Sequence, residues 1–399
     1  MFFRQEGLLD GLQVLDLTRL LPGPLCTMLM GDYGATVVKI EDIVSGDPTR
    51  AIGETIDGEG SFFWQLNRNK KSLALNLKAE HGKKIMRQLV AKCDVLVEGF
   101  RPGVLERLGL GYRDLSTLNP GLVYASISGY GQEGSYRERA GHDLNYTALT
   151  GLLDLSAAPG EAPVMPAVQI ADIGAGSLGA LGGIFMALYA REKSGRGCHI
   201  DVSMTRGLLP WLVYAAAAPP GDDPLPRRGC GHITGGYGCY NIYETADGKY
   251  MSLGALEPIF WQNFCNAVGR PEWVEKQFNQ SAQEGLFEEL KALFQEKTQD
   301  EWVKFFVHHE ACCEPVLDLD AAAAHPLARE QDFWIEVARL EGPSQRQPGF
   351  PLLFSGFKGE VRLPPPRLGE HTGEILESLG YSRAEVKKLS KEGVVRETG

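Results

Sequence analysis

An imidazole and a carboxylate that could both carry protons stand thirty positions apart in this chain. His142 lies in residues 141–146, GHDLNY, and Asp172 lies in residues 169–174, QIADIG. Small residues next to both groups allow the backbone to approach a ligand closely. A reaction that takes a proton from one face of a carbon and returns one to the other face needs two such groups. Taken alone, a His beside an Asp also fits a surface or helix-cap pair, so both interpretations stay open at this point.

Alternating strands and helices would position these two groups. The periodicity predicts short buried strands at 14–17, 36–40, 94–98, 122–128 and 199–202, and helices at 24–31, 80–92 and 174–191. This alternation is typical of a parallel sheet flanked by helices, as in Rossmann-like folds. No GxGxxG sequence follows the first strand, so the dinucleotide fingerprint is missing and nothing indicates NAD.

A second region begins after the Pro-, Gly- and charge-rich stretch at 219–228. A hairpin is predicted from 241–244 and 250–253, with helices at 258–268, 285–296 and 300–308. Residues 342–367 read as loop-rich, and closing helices are predicted at 372–379 and 383–389. The length of 399 residues suits two or three domains.

Charge and cysteine usage exclude several functional classes. A net charge of -11 argues against general nucleic-acid binding, although local cations such as those in 68–71, RNKK, can still hold a small anion or form a solvated loop. The eight cysteines form no CxxC pair and no zinc-type spacing, so no metal is expected. No secretory signal is seen at the start, and the longest apolar run, 208–220, is broken by prolines. We therefore expect a cytoplasmic protein without a membrane partner.

Several segments in a fixed order resemble a known superfamily. They are GLQVLDLT at 11–18, LPGP at 21–24, MGDYGATVVKIE at 30–41, NRNKKS at 67–72, VEGFRPG at 97–103, SGYG at 128–131 and PRLGEHT at 366–372. Together they resemble the superfamily of family III CoA-transferases and α-methylacyl-CoA racemases, over nearly the whole chain. Order and spacing carry the resemblance, since no single segment is decisive.

The resemblance implies a fold and an assembly. The expected fold is α/β, with a Rossmann-like large domain that contains the parallel sheet and a smaller α+β domain. Residues 1–205 would form the first part of the large domain, 206–230 a linker, 231–330 the small domain, and 331–399 the return to the large domain with its C-terminal helices. Two chains would interlock as an obligate homodimer.

Both branches of the superfamily would use Asp172 on an acyl-CoA substrate, for different chemistry. In a transferase it would attack the thioester carbonyl and pass through an aspartyl-CoA thioester, which moves CoA between carboxylic acids. In a racemase it would belong to an acid/base set that epimerises a 2-methylacyl-CoA through an enolate.

Three features favour the racemase branch. The GHDLNY segment resembles the catalytic His-Asp segment of racemases, where transferases usually carry Tyr-Asp. The segment that ends in Glu257 resembles the one whose Glu supports the catalytic His, while GGYG at 235–238 is not equated with the closing loop of transferases. The resemblance therefore implies His142 and Asp172 as the acid/base pair, Glu257 as its support and Asp143 as an orienting group.

The resemblance also suggests residues for the CoA moiety, which belongs to the substrate, so no separate cofactor is expected. Arg68, Lys71 and Arg101 are candidates for the phosphates or the adenine, because an Arg fork matches phosphate oxygens. Racemases often carry an Arg shortly after the strand ending at Glu41, but Asp42 follows here, so Lys39 is the further candidate. The acyl group stays open, and a catalytically silent acyl-CoA-binding protein is the remaining alternative.

Overall fold

The computed structural model describes residues 7–217 and 228–398 and divides them into two compact units. The first unit comprises the described parts of 1–150, 168–209 and 326–399, and the second comprises those of 151–167 and 210–325. Residues 151–167, which the sequence placed in the large domain, group with the second unit, and Arg228 of that unit contacts them. Its guanidinium pairs with Asp154 at 2.5 Å and also donates to the carbonyl of Glu161.

The predicted linker at 206–230 lies only partly within the described residues. Where it is described it is largely helical, with short segments at Met204–Gly207, Leu209–Leu212 and Val213–Ala216. The Pro-rich residues 218–227, which suggested the linker, lie outside the described residues.

A seven-stranded sheet organises the first unit. In spatial order its strands are Val395–Arg396, Lys70–Leu75, Thr36–Glu41, Gln13–Leu17, Val95–Glu98, Val123–Ser128 and His199–Ser203. All neighbours pair in parallel except Val395–Arg396, which pairs antiparallel with Lys70–Leu75. The predicted strands and the parallel sheet are confirmed.

The strand Lys70–Leu75 was not predicted, because its first residues read as a charged loop or a ligand-binding run. Lys70 is fully buried, and its ammonium pairs with the carboxylate of Asp16 at 3.0 Å. A charge that is neutralised by a buried partner can lie inside a sheet, and hydrophobic periodicity does not reveal such a partner.

Helices cover the sheet of the first unit. They are Pro22–Asp32, Ser61–Leu66, Glu80–Val90, Val104–Arg107, Tyr112–Leu118, Asp143–Leu149, Gly179–Ser194, Pro326–Glu330, Thr372–Ser378 and Arg383–Lys391, with a 3₁₀ turn at Pro48–Ala51. Glu80–Val90 buries Ile85, Met86, Leu89 and Val90, which follow the period of an amphipathic helix. Two short antiparallel pairs, Thr55–Ile56 with Glu59–Gly60 and Trp334–Val337 with Gln345–Pro348, complete the unit, and the last strand lies within the region predicted as loop-rich.

The Gly-rich helix starts differently from its prediction. Residues Ala171–Leu178 form a π-helix, and the α-helix follows at Gly179–Ser194. Together they make 24 residues that are long and apolar enough to cross a membrane by length and composition, which for one helix is weak evidence. The glycines of this stretch permit close packing, since a Cβ at Gly183 would lie 3.3 Å from Ile200 of the sheet.

The second unit has its own core and sheet. Its antiparallel strands are Cys313–Val316, Tyr250–Gly254 and Tyr240–Glu244, in that spatial order, and the predicted hairpin is confirmed. Its further helices are Pro258–Ala267, Gln283–Phe294, Gln299–Phe306 and Leu319–Ala324, with 3₁₀ turns at Pro271–Lys276 and Gln280–Ala282. Stacked aromatic rings, including Trp261, Phe264 and Phe294, fill the core between them.

Candidate active site

A cavity of about 370 Å³ opens at the carboxyl ends of three neighbouring strands in the first unit. Thr18 follows the strand Gln13–Leu17, Gly99 follows Val95–Glu98, and Ser128 ends the next strand. In open α/β sheets, ligands bind outside this edge, where the helices and loops diverge. The position of the cavity therefore agrees with a small-molecule site.

His142 and Asp172 both line this cavity. His142 is exposed and immediately precedes the helix Asp143–Leu149, so its side chain stands at the mouth of the cavity. Asp172 is half-buried in the first turn of the π-helix Ala171–Leu178. The structure thus brings the two residues together, as the sequence predicted, and it places one on a rim and the other in a wall.

Asp143 anchors the π-helix that carries Asp172. One of its carboxylate oxygens, Oδ1, accepts hydrogen bonds from the backbone N–H groups of Ala171 at 2.6 Å and of Asp172 at 3.0 Å. These N–H groups lie at the start of the helix, where no intrahelical acceptor is present. An orienting role for Asp143 is therefore consistent with the geometry, because it fixes the backbone of the neighbouring carboxylate.

The π-helix is also held against the helix Pro22–Asp32. The hydroxyl of Ser177 donates to the carbonyl of Pro22 at 2.7 Å, and a Cβ at Gly176 would lie only 2.8 Å from the Pro22 ring. A larger residue at position 176 would push the two helices apart. π-helical turns are rare and occur mostly at functional sites, and here the turn carries a cavity-lining carboxylate.

The surroundings of Asp172 raise its pKa above that of an exposed aspartate. Burial, and to a smaller extent the nearby Asp143, raise the pKa of Asp172 to about 6, although His142 acts in the opposite direction. A carboxyl group with this pKa exchanges a proton readily near neutral pH.

Tyr146 completes the inner wall of the cavity. Its hydroxyl donates to the carbonyl of Gly141 at 2.6 Å, and burial raises its pKa to about 12. The phenol therefore stays protonated at neutral pH and fixes the backbone just before His142. The rings of Tyr130 and Tyr146 meet edge to face with centroids 5.2 Å apart, which stiffens this wall.

Four arginines give the cavity a positive potential. Arg101 was predicted as a CoA ligand, is exposed and lines the cavity, whereas the sequence reasoning missed Arg19, Arg137 and Arg139. The last two stand within five residues of His142, which is the signal that could have identified them. Clustered guanidinium groups next to a cleft suit a polyanionic ligand such as a molecule with phosphate groups.

Arg68 and Lys39 are buried ion-pair members and do not line the cavity. The guanidinium of Arg68 is 1% exposed and makes two hydrogen bonds to Asp32, at 2.9 and 2.7 Å. Lys39 is 0% exposed and pairs with Asp47 at 2.9 Å. Neither cation is available to a phosphate, so the geometry contradicts a CoA-binding role for both, and sequence alone could not show their buried carboxylates.

The other predicted residues lie elsewhere. Lys71 is partly exposed, pairs with Glu374 at 2.9 Å and does not line the cavity of the first unit. Glu257 belongs to the second unit and immediately precedes the helix Pro258–Ala267, where the helix dipole favours a carboxylate. Its support of His142 stays a prediction. Within residues 7–217 and 228–398, no three His, Cys, Asp or Glu side chains cluster as a metal site.

Comparison with known proteins identifies the family to which the chain belongs. The model of CoA-transferase family III matches residues 9–372. The chain belongs to this family. The α-methylacyl-CoA racemase of Mus musculus is 36% identical to it over 388 residues, which cover 97% of each chain. The human succinyl-CoA:glutarate CoA-transferase is 34% identical over 396 residues, which cover 97% of this chain and 90% of the transferase.

Solved structures share the fold of this chain. A CAIB/BAIF family protein from Brucella suis has a TM-score of 0.80 at 27% identity, and the match covers 94% of this chain and all of that one. A hypothetical protein from Mycobacterium tuberculosis has a TM-score of 0.79 at 29% identity over 94% of this chain. Racemases and transferases of family III match with nearly equal identity, so membership alone does not select the reaction.

Proposed function

We propose that this family III protein epimerises 2-methylacyl-CoA thioesters by removing and replacing the α-proton. The observation that carries the proposal is that His142 and Asp172 line one cavity, with the pKa of Asp172 raised to about 6. Proton exchange at a carbon needs a base and an acid that both work near neutral pH. The racemase relatives support the same reaction class.

In one direction, neutral His142 takes the α-proton, and the C–H electron pair forms the C=C bond of an enolate whose oxygen carries the negative charge. Protonated Asp172 then delivers its proton to the opposite face of the α-carbon, and the carbonyl reforms. This leaves His142 protonated and Asp172 ionised, which is the form that the opposite epimer requires. Asp143 keeps the Asp172 backbone in place throughout.

Transfer of CoA between carboxylic acids is the alternative. It is supported by the transferase relatives and by the half-buried carboxylate of Asp172, which could attack a thioester carbonyl. That route needs a single carboxylate nucleophile and gives no role to an imidazole on the same cavity. The presence of His142 therefore favours epimerisation.

Deuterium incorporation tests the proposal directly. In D₂O, we expect deuterium at the α-carbon of 2-methylacyl-CoA thioesters, from either epimer and without any carboxylic acid acceptor. A panel of branched fatty, bile-acid-like and aryl-propionyl thioesters would identify the acyl group. Ping-pong kinetics with an added acid, together with an Asp172 thioester that hydroxylamine traps, would establish transfer instead. Binding of CoA with neither reaction would establish a silent binder.

For the CoA moiety, we propose Arg101 with the three further cavity arginines as ligands of the phosphates. Each lies on the cavity that contains the acid/base pair, so one extended ligand could reach both. Charge-assisted contacts of this kind supply binding energy far from the reacting carbon.

We also propose a homodimer, as the family resemblance implies. The helix Gly179–Ser194 leaves Met186 and Tyr189, one turn apart, exposed at 75% and 66%. Large exposed apolar side chains of this kind mark interaction surfaces. We expect sedimentation at micromolar concentration to give twice the chain mass of 43.7 kDa, whereas a monomer would contradict the proposal.

A further inference from the structure

Beneath the cavity lies a buried cluster of four charged side chains, Asp16, Lys39, Asp47 and Lys70. Each is 0% exposed. Lys39 pairs with Asp47 at 2.9 Å and Lys70 pairs with Asp16 at 3.0 Å, so the two positive and two negative charges balance. Burying ions is costly even when they are paired, and apolar residues of similar volume would serve stability as well. A contribution to stability therefore does not explain why these four charges are buried here.

The hydrogen bonds of this cluster end on the backbone of residues 18–20. The ammonium of Lys39 donates to the carbonyl of Thr18 at 2.9 Å. The Thr18 N–H donates to Asp16 at 2.9 Å, and the Leu20 N–H donates to Asp47 at 3.2 Å. Thr18, Arg19 and Leu20 all line the cavity. Three backbone groups of one cavity wall are thus fixed by charges that lie behind it.

The wall needs such support because its conformation is unfavourable. Leu20 has a φ of +67°, a left-handed conformation that a branched side chain rarely adopts. Residues held in this region persist only where the surrounding structure fixes them, and they concentrate at functional sites. The side chain of Thr18 packs directly against Gly23: a Cβ at position 23 would lie only 2.2 Å from the Thr18 Cβ, so no larger residue fits there.

We propose that Lys39 and Asp47 are positioning residues that hold residues 18–20 in the shape which the reacting acyl-CoA requires. The proposal rests on the proposed function, because it assigns the cavity wall to that substrate. The two residues touch no ligand themselves and act through the backbone of Thr18 and Leu20. Their removal should therefore reduce turnover more than substrate affinity, since Arg101, Arg137 and Arg139, three of the four proposed phosphate ligands, lie outside residues 18–20.

Lys39→Met tests this role while keeping an unbranched side chain of similar length. We expect kcat for α-proton exchange to fall roughly 100-fold, because small displacements in an active site have effects of this size. The KM for the thioester should change by no more than about threefold, because the phosphate contacts of Arg101, Arg137 and Arg139 remain. Amide hydrogen exchange should become faster in peptides that contain residues 18–20.

Arg191→Met is the matched control. It breaks an ion pair of Arg191 with Asp94 at 3.0 Å in the same unit, at the opposite end of the strands from the cavity. We expect this variant to keep the wild-type kcat and the wild-type amide exchange at 18–20. A comparable loss of turnover in Arg191→Met would show a general structural effect and overturn the positioning role.

A second pair of variants keeps the proposal testable if Lys39→Met does not fold. Asp47→Asn retains an oxygen that can accept from the Leu20 N–H, whereas Asp47→Ala removes it. We expect Asp47→Asn to retain most of kcat and Asp47→Ala to lose it, with faster amide exchange at 18–20 only in the alanine variant. Equal kcat in the two variants, or unchanged exchange at 18–20 in both, would overturn the proposal.

Failure of the proposed function would be distinguishable from failure of this inference. A wild-type protein without α-proton exchange refutes epimerisation, whatever the variants do. Amide exchange at residues 18–20 needs no substrate, so it reports separately whether Lys39 and Asp47 hold the cavity wall.

Discussion

His142→Ala is expected to abolish epimerisation in both directions while leaving α-proton exchange with only one of the two epimers. When His142 is missing, the epimer that it deprotonates cannot react. The other epimer still loses its proton to Asp172, and the same carboxyl group, after exchange with solvent, can return a deuteron to the same face. We expect exchange from the first epimer to fall by ~10²–10⁴-fold, which is the usual contribution of one positioned acid or base.

Asp172→Asn should show the opposite preference between epimers. ¹H NMR of each pure epimer in D₂O, with chiral analysis of the product, measures exchange and inversion separately. His81→Ala removes an exposed imidazole of the same unit and should leave both rates unchanged. Full activity in His142→Ala together with complete loss in Asp172→Asn would contradict the acid/base pair and establish Asp172 as a nucleophile.

Most strands of the parallel sheet could be predicted because they are short runs of mainly apolar residues. Residues 14–17, 36–40 and 122–128 carry few charges, and their burial follows from that pattern. Lys70–Leu75 escaped prediction because Lys70 is buried against Asp16, a residue 54 positions away in the chain. No local pattern contains information about such a partner.

The residues of the candidate site also fall into those that the sequence could predict and those that only the folded chain reveals. His142, Asp172 and Arg101 were predicted from short segments that resemble a family, and the structure places all three on one cavity. Arg68 was suggested by the family resemblance and Lys39 as a substitute for a missing Arg, but each has a buried carboxylate partner that appears only when the chain is folded. Likewise, the anchoring of Asp172 by Asp143 depends on a π-helix, and the sequence predicts no more than a helix there.

The proton count of the acid/base pair predicts a specific pH dependence. The form that attacks one epimer has neutral His142 and protonated Asp172, and the form that attacks the other has the reverse arrangement. Both hold one proton in total, so kcat/KM should be bell-shaped and have the same pH profile in the two directions. Activity should fall as pH drops through about 6, because Asp172 then becomes protonated and the pair gains a second proton. A nucleophilic Asp172 would give this acid limb without an alkaline limb.

Asp143 is expected to control both the position and the pKa of Asp172, and two substitutions separate these effects. Asp143→Asn keeps an oxygen that can accept from the N–H groups of Ala171 and Asp172 but removes the negative charge. Because that charge raises the pKa of Asp172, its loss should move the acid limb of kcat/KM to lower pH, while burial still keeps the pKa above that of an exposed Asp.

Asp143→Ala removes the acceptor as well and leaves two N–H groups at the start of the π-helix without their partner. We expect kcat to fall about 100-fold, because the carboxyl group of Asp172 is then no longer held in line with the α-carbon. Asp114→Asn, a change to an exposed carboxylate of the same unit, should alter neither the rate nor the pH profile. An Asp143→Ala variant with wild-type kcat would show that the π-helix positions Asp172 without this anchor, and an unshifted acid limb in Asp143→Asn would show that another group sets that limb.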